Sequence, residues 1–159
     1  MWTVIDSPIG ELRLVEDDDA IIRIDFHPFD DADGRLSGER GDDHPLLREC
    51  ARQLGEYFAG ERNTFDLPLA PVGTAFQRRV WEQLLTIEYG ETATYGQIAG
   101  RLGLTGHGAR AVGLANGRNP IPVVIPCHRV IGANGSLTGY AGGMDRKQLL
   151  LSLESDGLF

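Results

Sequence analysis

The stretch Ile121-Pro122-Val123-Val124-Ile125-Pro126-Cys127-His128-Arg129-Val130-Ile131 constrains the chain more than any other. An aliphatic run of this length bounded by proline predicts a short core strand. Pro126 fixes its own φ and biases Ile125 towards extended backbone, so Cys127 is delivered rigidly. A thiol is a useful nucleophile only as thiolate, which needs a base or a positive field close by. His128 and Arg129 offer both. Yet a Cys-His pair is common by chance, and free cysteine is usually a buried, inert small residue. The pair acquires meaning only with the rest of the chain.

At 159 residues the chain is one generous domain or two small ones, with 42% apolar and 24% charged residues, ordinary for a globular protein. No run approaches a membrane span. The first residues, Met1 to Asp6, lack the basic and apolar regions of a signal peptide, so a cytoplasmic location is expected. Cys50 and Cys127 are the two cysteines, expected as free thiols. The four histidines are scattered without zinc-ligand spacing, so neither a structural metal nor a cofactor is expected. The net charge of −8 is unevenly placed. Residues 1–75 hold seven basic and seventeen acidic side chains, net −10, and residues 76–159 eight and six, net +2. This hints at an acidic part beside an anion-binding one.

Residues 2–5, 11–15 and 21–26 alternate as strands, with a solvated turn at Asp17-Asp18-Asp19. Residues 28–43, rich in Asp, Gly, Arg and Ser, predict an exposed mobile loop. His44-Pro45 opens a helix with Leu47, Cys50, Leu54, Tyr57 and Phe58 on one face, stopped by Gly60. Core packing accounts for Cys50. An extended connector, residues 65–72, leads to a boundary near Gly73. Thr74 and Gln77 have capping-box spacing, and the helix they start is expected to run to about Tyr89-Gly90. Short helices over 95–103 and 108–116, joined by a glycine-rich turn, form a helix-turn-helix candidate. The second is mostly Ala and Gly with Arg110 its one charge, a surface suited to close approach to a groove. Residues 132–143 form a glycine-rich loop. A last helix, capped by Asp145, is expected to bury Leu149, Leu150, Leu151 and Leu153. It ends on Glu154, which opposes the helix dipole and so calls for a partner such as His128.

Taken together, these segments resemble the O6-alkylguanine-DNA alkyltransferases, the methylated-DNA–protein-cysteine methyltransferases. The resemblance spans about residues 73–154. It rests on Gly73-Thr74-Ala75-Phe76-Gln77 with Val80-Trp81, Ala109-Arg110-Ala111-Val112-Gly113, Asn119-Pro120, Pro126-Cys127-His128-Arg129-Val130, Gly139-Tyr140-Ala141-Gly142-Gly143 and Arg146-Lys147 through Glu154. It implies an α+β protein: an α/β N-terminal domain with a small antiparallel sheet, 1–72, and a mostly helical domain with a helix-turn-helix, 73–159. Three places depart from the family pattern, one of them Ala141, which stands where some members have a hydroxyl. Glu88 stands where proline is common, and the turn 104–108 is one residue longer.

The resemblance also implies roles. Cys127 would take the alkyl group from O6 of guanine in double-stranded DNA, irreversibly and once per molecule. His128 would be its base through a bridging water, Glu154 the residue orienting His128, and Asn119 the residue holding the turn. Tyr95 would donate to N3 of the leaving base. The Cys127 carbonyl, Val130, Tyr140 and the Ala141 amide would form the base pocket. Arg110 would fill the gap left by a flipped nucleotide, with Ala111, Thr94 and Gly96 on the DNA surface and the recognition helix in the minor groove. A monomer is expected, with cooperative assembly on DNA and repair of O4-alkylthymine left open. Two other readings are weighed. A damage-binding module without catalysis is disfavoured by the presence of Cys127. A Cys-His hydrolase is disfavoured by the helix-turn-helix and the lack of an oxyanion-hole signature. A zinc-bearing repair domain is excluded, because Cys50 alone cannot supply four thiolates.

Overall fold

The three alternating runs of the N-terminal part pair as an antiparallel sheet in the order β1 (Trp2–Ile5), β2 (Leu12–Asp17), β3 (Ala20–Phe26). They do so in a computed structural model that describes residues 1–31, 38–137, 140 and 142–156. Asp18 and Asp19, both with positive φ (50° and 57°), close the β2–β3 hairpin. Two left-handed residues match the right-handed twist of the strands they join. β2 is buried on both faces. One face meets α1 (Pro45–Phe58), whose stripe Leu47, Cys50, Leu54, Tyr57 and Phe58 is buried as the spacing predicts. α1 starts where expected: Pro45 takes the first turn and His44 Nδ1 accepts the Leu46 amide.

The described residues 38–41 of the segment 28–43 depart from the expectation of a mobile loop. Residues 32–37 lie outside the described residues. Beyond them, the Trp2 amide donates to Glu39 O (3.1 Å) and the Gly41 amide to Trp2 O (2.8 Å), so the segment covers the free edge of β1. The β3 edge is covered likewise, through Ile21 and the residues around Leu69. An edge strand left bare is a template for wrong pairing, and hydrogen bonding outweighs the segment's polar composition. Before it, Asp31 joins Asp25 in holding the buried Arg13 guanidinium.

The chain divides into two compact units at Pro71–Val72. The second unit holds α2 (Ala75–Leu84), β4 (Ala93–Thr94), α3 (Tyr95–Arg101), α4 (Gly108–Gly117), β5 (Val130–Ile131) and α5 (Met144–Asp156). Thr74 and Gln77 make the capping box. α2 stops at Leu84, however, short of Tyr89: Thr86 and Ile87 turn back onto Gln83 and Leu84, and Ile87 is buried. α3 has a capping box of its own, Thr94 with Gln97. α4 packs on α3 and α2, and Trp81 Nε1 donates to Ala115 O at 2.9 Å. In α5, Leu150 and Leu153 are buried but Leu149 is exposed, because four leucines in five residues cannot share one helical face. Asp145 lies inside the first turn of α5 instead of before it.

Residues 121–125 form no strand. The Asn119 side chain accepts from the Ile121 amide (3.0 Å) and donates to Ile125 O (2.9 Å), and the Ile125 amide closes onto Ile121 O (2.9 Å). The result is a buried turn, with Val123 at φ 72°, a conformation β-branched residues rarely adopt. A short apolar run reads alike as core strand or core turn, and here one amide side chain decides between them.

Candidate active site

That turn delivers Cys127 into a single 3₁₀ turn, Cys127–Arg129, whose last carbonyls lead straight into β5. β5 pairs in parallel with β4, Ala93 opposite Val130 and Thr94 opposite Ile131. Tyr95 therefore begins α3 directly after the strand that flanks the cysteine. Its ring lies against Gly113 of α4, where an added Cβ would sit 3.7 Å from it.

Cys127, His128, Arg129 and Glu154 are all buried. His128 Nε2 meets Glu154 Oε2 at 2.7 Å. Since that carboxylate is ionised, Nε2 carries the proton and Nδ1 is left as an acceptor, which has no hydrogen-bond partner among the described residues. Arg129 grips the same carboxylate twice, Nε to Oε1 at 2.7 Å and Nη2 to Oε2 at 3.0 Å, and donates Nη1 to Ile87 O at 2.6 Å. The fully buried Lys147 donates to Val130 O at 2.6 Å. Asn116, on the inner face of α4, donates to Cys127 O at 3.3 Å, and the Val130 amide donates to that same oxygen.

The electrostatics follow from burial and from these partners. Burial pushes the Cys127 thiol up to about 11, against the Asn119 hydrogen bond and the Lys147 charge. The thiol is therefore neutral at rest and needs a base. Burial also lowers the His128 pKa, opposed by Glu154, so the imidazole is neutral and able to accept. Burial alone would raise the Glu154 carboxyl, but hydrogen bonds from His128 and Arg129 hold it at about 2. Burial takes the Tyr140 phenol well above its usual range, with Cys127 adding to the effect. Cys50, by contrast, is pushed up to about 12 by burial within its core stripe, with the Glu49 charge adding to the effect.

Of the residues singled out from sequence, hydrogen bonds join His128 to Glu154, Val130 to Cys127 O, and Asn119 both to the Cys127 thiol and to the turn before it. Thr94 uses its hydroxyl to cap α3, and Gly96 is exposed one residue into that helix. Arg110 is exposed on α4 and Ala111 half-buried. Ala141 lies outside the described residues. The view of α4 as a surface of Ala and Gly needs correction, since its exposed side carries Leu114, 69% accessible. Sequence reasoning missed three participants: Arg129 as the clamp on Glu154, Asn116 and Lys147. Lys147 was legible. With Leu150 and Glu154 it occupies i, i+3 and i+7 on the buried side of α5, where a lysine is out of place unless it has a task. Among the described residues, Glu16, Asp19 and His44 of the first unit offer ligand atoms within 4.8 Å of one another. Glu16 there already accepts an ammonium, that of Met1, at 2.8 Å.

A family model described as 6-O-methylguanine DNA methyltransferase, DNA binding domain, matches residues 75–156. A second, the ribonuclease-like domain of the same methyltransferase, matches residues 1–71. A Methanosarcina acetivorans protein named methylated-DNA–protein-cysteine methyltransferase is 48% identical over 157 residues, covering 96% of this chain and 97% of the relative. A Mycolicibacterium paratuberculosis protein of the same name is 51% identical over 154 residues, covering 96% and 91%. Among solved structures, Mycobacterium tuberculosis OGT in complex with DNA matches with TM-score 0.84 and 47% identity over 97% of this chain and 92% of that one. A Methanococcus jannaschii O6-methylguanine DNA methyltransferase matches with TM-score 0.70 and 28% identity, covering 99% and 95%.

Proposed function

Because the chain belongs to the 6-O-methylguanine-DNA methyltransferase family, we propose that it repairs alkylated duplex DNA by moving the alkyl group from O6 of guanine onto its own Cys127, once and without regeneration. Residues 1–72 form the N-terminal domain in this reading, and 73–159 carry DNA binding and transfer. The observation that carries it is a buried neutral thiol at Cys127 followed in the chain by His128, whose Nε2 is engaged by Glu154 and whose Nδ1 has no hydrogen-bond partner among the described residues.

The chemistry runs in one displacement. Through a bridging water, His128 takes the Cys127 proton at Nδ1, and the imidazolium so formed is stabilised by the Glu154 carboxylate. The sulfur attacks the alkyl carbon in line; the S–C bond forms as the C–O6 bond breaks, and the electron pair stays on the guanine. Tyr95 supplies a proton to N3 of the leaving base. The alkyl carbon of a stacked base is out of reach of a buried sulfur, so the nucleotide must leave the duplex. Arg110 occupies the place it vacates, while α4 lies in the minor groove with Thr94, Gly96 and Ala111 along the same surface. Tyr140, Val130 and the Ala141 amide line the base pocket. Asn119 holds the turn that aims the sulfur.

Two contacts set limits on base reading. Cys127 O already accepts from Val130 and Asn116, and Val130 O from Lys147. The base therefore has to share or displace the long Asn116 bond if it donates to Cys127 O.

Intact mass and peptide mapping after mixing with a duplex bearing one O6-methylguanine test the reading. A gain of one methylene unit on the Cys127 peptide, capped at one per protein, is expected. Tight damage-dependent binding without that gain would instead make the protein a damage-binding module.

A further inference from the structure

α4 presents one row of side chains to solvent. Val112, Ala115 and Asn116 face inward and are buried, whereas Arg110, Leu114 and Arg118 are exposed. The three are spaced by four residues and so stand one above another along the helix. A single exposed leucine is ordinary on a protein surface. This one is 69% accessible, lies four residues from an exposed arginine on either side, and is the largest apolar side chain on a helix rich in Ala and Gly. Solubility alone would favour a polar residue there. A groove of DNA would not: between its phosphates lie apolar sugar faces and base edges, against which leucine is one of the side chains that can wedge.

We propose that Leu114 is a DNA-positioning side chain that packs against deoxyribose and base edges one helical turn from Arg110, with Arg118 on a phosphate at the end of the row. The proposal rests on the reading of α4 as the DNA-facing helix. Leu114 sets the depth at which α4 sits and so the height at which Arg110 meets the base stack. It makes part of the affinity independent of salt, because apolar contact releases no counterions.

The test measures binding of a fluorescent duplex, with and without one O6-methylguanine, between 50 and 200 mM salt for the unmodified protein and for L114A, L114M and R118A. Transfer to Cys127 at saturating duplex and thermal unfolding are followed in parallel. L114A is expected to weaken binding about tenfold at every salt concentration with the salt slope unchanged. Its Tm should stay at that of the unmodified protein. L114M, which keeps apolar bulk, should bind within about threefold of it. R118A should instead reduce the magnitude of the slope by about 0.9. Unchanged binding by L114A, a loss that flattens the salt slope, or a loss accompanied by a lower Tm would each overturn the proposal. Leu114-dependent binding without methyl transfer would overturn the alkyl-transfer reading and leave this proposal standing. Failure of the unmodified protein to bind duplex would overturn both.

Discussion

Glu154 serves a guanidinium and a neutral imidazole at once. Its carboxylate accepts from His128 and, on both oxygens, from Arg129, so its charge is already matched before His128 takes a proton. That is why His128 stays neutral at rest despite a carboxylate at 2.7 Å: burial and the Arg129 charge lower its pKa, and Glu154 offsets them in part. Transfer requires this neutral form. The rate constant for Cys127 alkylation should therefore be flat above neutral pH and fall tenfold per unit below an apparent pKa lying under the ordinary 6.5. An acid limb centred above 6.5 in single-turnover transfer would contradict the role given to His128. E154Q removes the negative charge and leaves Arg129 buried without its counter-ion, which should cost about 3–5 kcal/mol in urea unfolding and slow transfer about a hundredfold. A carboxyl held at about 2 in the folded state and at 4.5 unfolded stabilises the fold above pH 4.5, and that contribution drains away as pH falls towards 2. His128, its folded pKa lowered, acts in the same direction from 6.5 downwards. In E154Q the pH dependence of unfolding free energy between 4.5 and 2 should flatten.

Helices α3 and α4 hold the nucleophile's surroundings through short, local devices. Thr94 caps α3 and also lies opposite Ile131 in the β4–β5 pair, so one residue fixes both the start of α3 and the place of Tyr95. T94A should lose about 1 kcal/mol in chemical denaturation. It should also reduce transfer more than T74A, which removes the equivalent cap of α2. Gly108 allows the start of α4 to approach Leu104, since a Cβ there would lie 2.7 Å from the Leu104 Cβ and 3.3 Å from that of Ala99. G108A should cost about 1–3 kcal/mol by overpacking, read as a lowered Tm. These elements also show what a sequence discloses. Capping spacing, the stripe of α1 and the Pro-Cys-His-Arg order are local, and the structure matches them. The Glu154 partner was legible because a carboxylate near a helix C-terminus breaks a local rule, and such breaks mark compensation elsewhere. The turn at 121–125 was not legible, because the Asn119 side chain that bends it acts through bonds that no periodicity records. Nor was the early end of α2, since Ile87 keeps helical spacing with Val80 and Leu84 and is buried although the helix has already ended. Arg129 stood in plain view beside Cys127. Its task became clear only when α5 brought Glu154 to it.

Charge is divided between the two parts of the molecule, net −10 over residues 1–75 and +2 over residues 76–159. A protein that holds DNA by charge alone would show a far more basic surface, and this one has to rely on apolar and geometric contact as well. In the C-terminal unit the exposed arginines are Arg78, Arg79, Arg101, Arg110 and Arg118, set against exposed Glu82, Glu88, Glu91 and Asp145. If every one of those five arginines met a phosphate, the slope of log affinity against log salt would reach about −4.5, at about −0.9 per phosphate neutralised. Arg110 is assigned to the base stack, and Arg79 already points towards Leu102 O at 3.4 Å, so fewer than five are free for phosphates. The slope for a methylated duplex should therefore be shallower than −4.5, and binding should weaken by less than about a factor of 500 between 50 and 200 mM salt. A salt titration of duplex binding decides the matter. A slope steeper than −4.5 would require phosphate contacts beyond those five arginines, and with them a DNA footprint wider than the surface of α2, α3 and α4 that carries them.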